Sequence, residues 1–157
     1  MNPVGDRGAI HDLLAEYGAL LDAEKYDEWL GLFAAECRYN VMPRENYDRG
    51  LPAALMYCDS RAMLEDRIGA LREANKFNIH SDRHLIGLPR IIGSAADALE
   101  IEAPFAVYQT DQEGETRLFA TGLYRDSLVA GQGGPRIRDK LILLDTFAVP
   151  TLLATPL

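Results

Sequence analysis

Several residue types and patterns are scarce in this 157-residue chain, and each scarcity removes a class of function. Cysteine is limited to Cys37 and Cys58, too few for a disulfide framework. Both sit among apolar neighbours (Tyr39 and Val41; Leu55, Met56 and Tyr57), as expected of buried thiols rather than reactive ones. No apolar run approaches the roughly 20 residues a membrane helix needs. The longest, Leu141–Leu144 with Phe147–Val149 beyond Asp145 and Thr146, have strand length. Positive charge is short: 16 Lys and Arg against 24 Asp and Glu give a net charge of −8. An acidic chain without a basic cluster is a poor match for nucleic acid or an anionic membrane. The opening Met1-Asn2-Pro3-Val4-Gly5-Asp6 has neither the basic end nor the apolar centre of a signal peptide, so a cytoplasmic protein is expected.

What remains is an ordinary globular composition, 48% hydrophobic and 25% charged, suited to one domain spanning residues 1–157. Ile10, Leu13, Leu14, Tyr17, Leu20 and Leu21 recur at helical spacing and predict a helix of about four turns. Tyr26, Trp29, Leu30 and Phe33 continue the pattern on a second, shorter helix, with Asp22 to Lys25 as the bend. The period then changes: Cys37, Tyr39 and Val41 alternate with polar or exposed positions on a strand closed by Pro43. Residues 43–53 read as a loop, Ala54–Tyr57 as a short strand. Asp59 or Ser60 can cap a helix carrying Met63, Leu64, Arg67, Ile68 and Leu71.

The second half is strand-like. His84–Ile92 reads as one strand broken by Gly87 and Pro89. Leu99–Thr110, Thr116–Leu128 and Ile137–Val149 are long segments joined by the turns Asp111–Gly114 and Gly131–Pro135, hence antiparallel neighbours. Helices first and strands after define α+β. Long strands curl, so the expected architecture is a cone: a curved antiparallel sheet, helices on its concave face, and a pocket at the open end.

Three constellations carry possible chemistry. His80-Ser81-Asp82-Arg83-His84 offers two histidines and a carboxylate, the ligand types of non-haem iron. On a strand, however, positions four apart lie roughly 13 Å apart, too far for one ion, so no metal is expected. Asp22, Tyr26 and His84 could instead converge on a cone pocket as an acid/base set; the structural alternative has Asp22 capping a bend and Tyr26 packing, and that alternative is favoured. Gly131, Gly133 and Gly134 lie between strands, without the helix and Lys-Ser/Thr of a phosphate loop, and read as a hairpin. Ser60 and Ser127 lack a nucleophile elbow. An iron–sulfur centre of the Rieske kind needs two cysteines and two histidines in tight pairs, which neither Cys37 nor Cys58 can supply.

Four stretches, in order along the chain, resemble the β (small) subunits of aromatic-ring-hydroxylating dioxygenases. These are Tyr17–Asp22 followed by Tyr26-Asp27-Glu28-Trp29-Leu30-Gly31-Leu32-Phe33; Cys37–Pro43; Asp59–Ile68; and Asp82–Ile86. Leu71–Asn75 through Leu85–Pro89, and the ending Leu152–Leu157, are similar to the terephthalate and anthranilate dioxygenase branch. His84 and the Gly87-Leu88-Pro89 run depart from the pattern. The resemblance implies a cystatin/NTF2-like cone (nuclear-transport-factor-2-like) and a structural role beside a catalytic α subunit in an α3β3 hexamer, with the β chains self-associating as a trimer. It implies that the Rieske [2Fe-2S] cluster and mononuclear Fe(II) sit on the partner, fed by NAD(P)H through a reductase. It implies no catalytic, cofactor or metal residue on this chain, and an aromatic compound, such as an aromatic acid, as substrate of the complex. The competing expectation is a free-standing dehydratase, isomerase or ligand-binding protein using Asp22, Tyr26 and His84.

Overall fold

A computed structural model describes residues 3–52, 54–74, 79–146 and 156–157. After a 3-10 turn at Pro3–Gly5, Asp6 caps helix α1 (Arg7–Asp22) by accepting a hydrogen bond from the Gly8 amide at 3.0 Å. The predicted stripe Ile10, Leu13, Leu14, Tyr17, Leu20 and Leu21 is the face that α1 buries. The bend follows at the expected place, with Glu24 in the left-handed region (φ 58°) and the Lys25 amide bonded to the Leu20 carbonyl. Helix α2 (Tyr26–Leu30) buries Tyr26, Trp29 and Leu30.

Phe33 departs from expectation. It opens strand β1 (Phe33–Pro43) instead of extending α2. The helix stops at Gly31, and the Leu32 carbonyl accepts from the Ile137 amide at 2.9 Å, which draws the chain into the sheet. The apolar spacing of Tyr26, Trp29, Leu30 and Phe33 was a core pattern, and only its first three members were helical. Within β1, Cys37, Tyr39 and Val41 are buried as predicted.

The 43–53 segment, expected as loop, contains a five-residue helix α3 (Arg44–Asp48). It has no buried residue, so periodicity could not reveal it. Strand β2 is Met56–Cys58, shifted from the expected Ala54–Tyr57. Helix α4 (Arg61–Ala74) follows Ser60, whose hydroxyl accepts from the Met63 amide at 3.2 Å; it buries Leu64, Ile68 and Leu71, while Met63 is exposed.

The expected single strand over His84–Ile92 is two, β3 (Ser81–Ile86) and β4 (Arg90–Ala95), separated by the Gly87–Pro89 break. Both pair with β5 (Ala98–Thr110). Strands β6 (Thr116–Gly131) and β7 (Gly134–Leu144) complete a seven-stranded sheet ordered β2-β1-β7-β6-β5-β3, with β4 pairing the first half of β5 (Ala98 to Glu102) and β3 its second half (Phe105 to Thr110). The expectation for Phe147–Val149 falls outside the described residues. Every pairing is antiparallel except β1 with β7, which is parallel. Hairpin logic fixes the direction of strands adjacent in sequence. It says nothing about β1 and β7, which most of the chain separates.

The curved sheet folds its concave face around α1, α2 and α4, the open cone of an NTF2-like protein. An aromatic cluster fills it. Trp29 lies 5.6 Å from Tyr17, 4.8 Å from Phe33 and 5.8 Å from Tyr39 between ring centres; Phe105 stacks on Tyr124 at 4.2 Å.

Candidate functional site

Polar groups enter the cone at two places. The first is the join between α1 and β3. On β3, Asp82, His84 and Ile86 point inward by strand alternation. Gly18 lets α1 sit close against that face: a Cβ there would stand 3.2 Å from the His84 Cβ and 3.3 Å from the Ile86 Cδ1. The last residue of α1, Asp22, then reaches His84. Its two carboxylate oxygens each accept from the His84 amide at 3.1 Å, and Oδ1 lies 2.6 Å from the ring Nδ1. Arg83 stands 3.8 Å from the other oxygen. His84 Nε2 is buried without a hydrogen-bond partner among the described residues.

Beside this pair runs a cleft of about 400 Å³ between α1 and the Gly87–Pro89 break, lined by His11, Leu14, Ala15, Gly18, Ala19, Asp22, Arg83, His84, Ile86, Gly87, Leu88 and Pro89. The structure therefore brings together two of the three candidate pocket residues, Asp22 and His84. Tyr26 is buried at the start of α2 and does not line the cleft. His80 and His84 do not converge on one point either: His80 Nε2 faces Asp82 Oδ1 at 3.2 Å while His84 faces Asp22. Burial pushes the Asp82 carboxyl up, against the pull of the two histidines.

The second place is the middle of the cone. Asp126 and Lys140 are register partners on β6 and β7, and both side chains are fully buried. Lys140 Nζ bonds both Asp126 oxygens, at 2.9 and 3.1 Å. It also lies 4.1 Å from the centre of the Tyr17 ring and 3.7 Å from that of Tyr124, so two aromatic faces complete its shell. Burial pushes the Asp126 carboxyl up and the Lys140 ammonium down, and each is pulled back by the other. Burial raises the Tyr17, Tyr39 and Tyr124 phenols too, and the Tyr17 and Tyr39 hydroxyls donate to the Leu157 backbone oxygen.

Above this pair the cone is occupied by the chain itself. Leu157 is buried there; its amide donates to the Tyr39 hydroxyl at 2.8 Å, and its backbone oxygen accepts from the hydroxyls of Tyr39 (3.0 Å) and Tyr17. Sequence reasoning singled out neither the Asp126–Lys140 pair nor this seat. The only signal for the pair was a charge at an inward position of each of two apolar strands, which alternation alone could have exposed.

A curved, unclosed seven-stranded sheet with helices packed against it is the architecture of the NTF2-like class. Within that class the chain belongs to the ring-hydroxylating β-subunit family, whose profile matches residues 18–151. It is 37% identical over 143 residues to subunit beta 2 of the terminal oxygenase component of terephthalate 1,2-dioxygenase from a Comamonas species, covering 91% of this chain and 93% of the relative. It is 34% identical to the small subunit of anthranilate 1,2-dioxygenase from Burkholderia cepacia, covering 94% and 92%. Among solved structures, a protein from Novosphingobium aromaticivorans assigned as the β subunit of an aromatic-ring-hydroxylating dioxygenase superposes with a TM-score of 0.87 at 44% identity, covering 96% of each chain.

Proposed function

We propose that this chain is the small, structural subunit of a ring-hydroxylating dioxygenase of the terephthalate and anthranilate kind, one domain that supports a larger oxygenase chain and turns nothing over alone. The complex would be a cytoplasmic α3β3 hexamer acting on an aromatic compound, with an aromatic acid as the first class to test. The Rieske [2Fe-2S] cluster and mononuclear Fe(II) would reside on the large subunit, supplied with electrons from NAD(P)H. No catalytic, cofactor or metal role is assigned to this chain's own residues.

The observation that carries this reading is the occupied cone. The interior of the cone beside Tyr17 and Tyr39 is filled by Leu157, bonded to both through its backbone. No helix among the described residues is long and apolar enough to cross a membrane, which agrees with a partner met in solution.

The test is co-expression with a Rieske-type large subunit from the same source, followed by native mass and an iron assay. Equal numbers of both chains in an iron-bearing complex are expected. A small colourless oligomer of this chain alone would overturn the reading. The second reading, a pocket enzyme, draws on the Asp22–His84 contact of 2.6 Å. It requires the isolated chain to turn over a substrate and His84→Ala to abolish that turnover while the fold is kept. A thermal shift with aromatic acids tests the ligand-binding form of the same idea.

A further inference from the structure

The interior of the cone holds more hydrogen-bonding capacity than the chain's own packing uses. Four wholly buried aromatic side chains from four elements meet there: Tyr17 of α1, Trp29 of α2, Tyr39 of β1 and Tyr124 of β6. The Trp29 and Tyr124 rings each lie 5.6 Å from that of Tyr17, and Trp29 lies 5.8 Å from Tyr39. Each ring brings one N–H or O–H. Those of Tyr17 and Tyr39 are spent on a single residue: both donate to the Leu157 backbone oxygen, and the Tyr39 hydroxyl also accepts from the Leu157 amide at 2.8 Å. Trp29 Nε1 and the Tyr124 hydroxyl have no partner among the described residues. A buried donor left unpaired is costly, and native folds carry few of them. Phenylalanine at position 124 would fill the same space without that cost.

Leu157 is held as a ligand would be. It belongs to neither helix nor strand, and its hydrogen bonds among the described residues all go to two hydroxyls far away in sequence. Its N–H, its oxygen and its apolar side chain are all accommodated at 2% exposure. The chamber has no charge left to offer a ligand, because Lys140 and Asp126 already bond each other on its floor. A charged occupant would therefore be buried unpaired, which favours a neutral one.

We infer that the cone is a binding site for a small neutral amide with a branched aliphatic group, by chemical class an N-acylated amino-acid amide, and that Leu157 fills this site in cis. Such a molecule carries an N–H for the Tyr39 hydroxyl, a carbonyl oxygen for the Tyr17 and Tyr39 hydroxyls, and an aliphatic body for the aromatic walls. Being untethered, it can also turn its acyl oxygen toward one of the two unused donors. Leu157 competes with it from the same chain, at the high effective concentration that a tether gives. The inference goes beyond the subunit reading, which requires only that the large chain be supported.

The test compares the wild type with a chain lacking Pro156 and Leu157, using N-acetyl-L-leucine amide as the probe. Trp29 is the single tryptophan, so its fluorescence and its indole N–H resonance report on the cone. The shortened chain is expected to show a saturable change in both signals and a rise in melting temperature. The wild type is expected to need at least about tenfold more probe, since its own residue must first leave. N-acetylglycine amide, which lacks the isobutyl group, is expected to bind the shortened chain about tenfold more weakly or worse. Tyr39→Phe in the shortened chain is expected to weaken the leucine probe about tenfold, through the loss of a donor and an acceptor. A folded shortened chain that does not respond overturns the inference. So does a response equal in the wild type, equal for the glycine probe, or unchanged by Tyr39→Phe. Should circular dichroism show that the shortened chain does not fold, Leu157→Ala in the full chain decides: a response at lower probe concentration than the wild type upholds the inference, and an equal or absent one overturns it. Co-expression with the large subunit decides the subunit reading separately from all of these outcomes.

Discussion

Strands β6 and β7 carry ion pairs on both faces, and the two faces treat charge in opposite ways. Inside, Lys140 and Asp126 have no exposure at all, and the ammonium is held by one carboxylate and two aromatic rings. Outside, one step along the same strands, Asp139 meets Arg38 of β1 at 2.7 Å with the arginine 63% exposed. Distance barely separates the two pairs. Solvent does. Water screens the outer pair and can replace either partner when it is lost. The inner pair has no such replacement, so its two members depend on each other.

Removing one inner partner is therefore the largest test of that contrast. Lys140→Ala leaves Asp126 buried and unpaired and empties the space between Tyr17 and Tyr124. A loss of about 3–5 kcal/mol is expected in urea denaturation. The double change Lys140→Met with Asp126→Leu removes both charges and is expected to return most of that loss, since apolar replacements of a buried pair are often neutral or better. A double variant as weak as the single one would show that volume, not charge, governs the site. Trp29→Ala is the matched apolar test: Trp29 is wholly buried among Tyr17, Phe33 and Tyr39 and should cost about 3–5 kcal/mol. A value under about 1 kcal/mol would mean that the aromatic cluster closes over the gap.

Asp22 lies between these extremes, at the rim where α1 meets β3. Asp22→Ala strips the partner from the His84 amide and ring. About 1–3 kcal/mol is expected, the cost of a buried donor left unsatisfied, with the amide proton of His84 exchanging faster than those of β5. Arg38→Ala should cost under about 1 kcal/mol, and high salt should erase most of it.

How much of this was legible from sequence follows from the same contrast. The α1 stripe, Trp29 and the inward positions of β1 were readable because burial leaves a period. The segregation of helices from strands gave the cone, and short turns gave the β5–β6–β7 pairings. Phe33 was misplaced because an apolar residue shows that a position is inside without saying which element carries it there. Helix α3 left no trace because it buries nothing. The parallel β1–β7 pair joins segments too distant for local rules. At the candidate site, Asp22 and His84 could be proposed by residue type, but their contact depends on Gly18, whose missing side chain is a statement about space that no motif encodes. Lys140 and Asp126 were passed over because charged residues on strands are normally outside. Leu157 in the cone was beyond any local signal, since it is held by hydroxyls more than a hundred residues away.

The smallest effect sharpens the outer face further. Glu102 lies on the outer side of β5, its side chain 11% exposed, and takes Arg90 at 2.7 Å and Arg125 at 2.9 Å, one on each oxygen. The hydrogen bonds from Arg90 and then Arg125 hold its carboxyl below the ordinary glutamate range. A depressed carboxyl stabilises the fold above its unfolded-state value, near 4.3 for glutamate, and that contribution is lost as pH falls through the lower, folded-state value. Glu102→Gln removes the charge at every pH. The wild type should therefore exceed the variant by no more than about 1 kcal/mol near pH 7, since both arginines are well exposed. The two should converge as pH falls through that lowered, folded-state value. Stability curves that stay parallel down to acid would mean that Glu102 acts through hydrogen bonds that glutamine keeps or loses equally at all pH, and that the outer face gains nothing from its charge. Convergence, combined with a large and salt-insensitive loss in Lys140→Ala, would confirm that the same chemistry is marginal on one side of these strands and indispensable on the other.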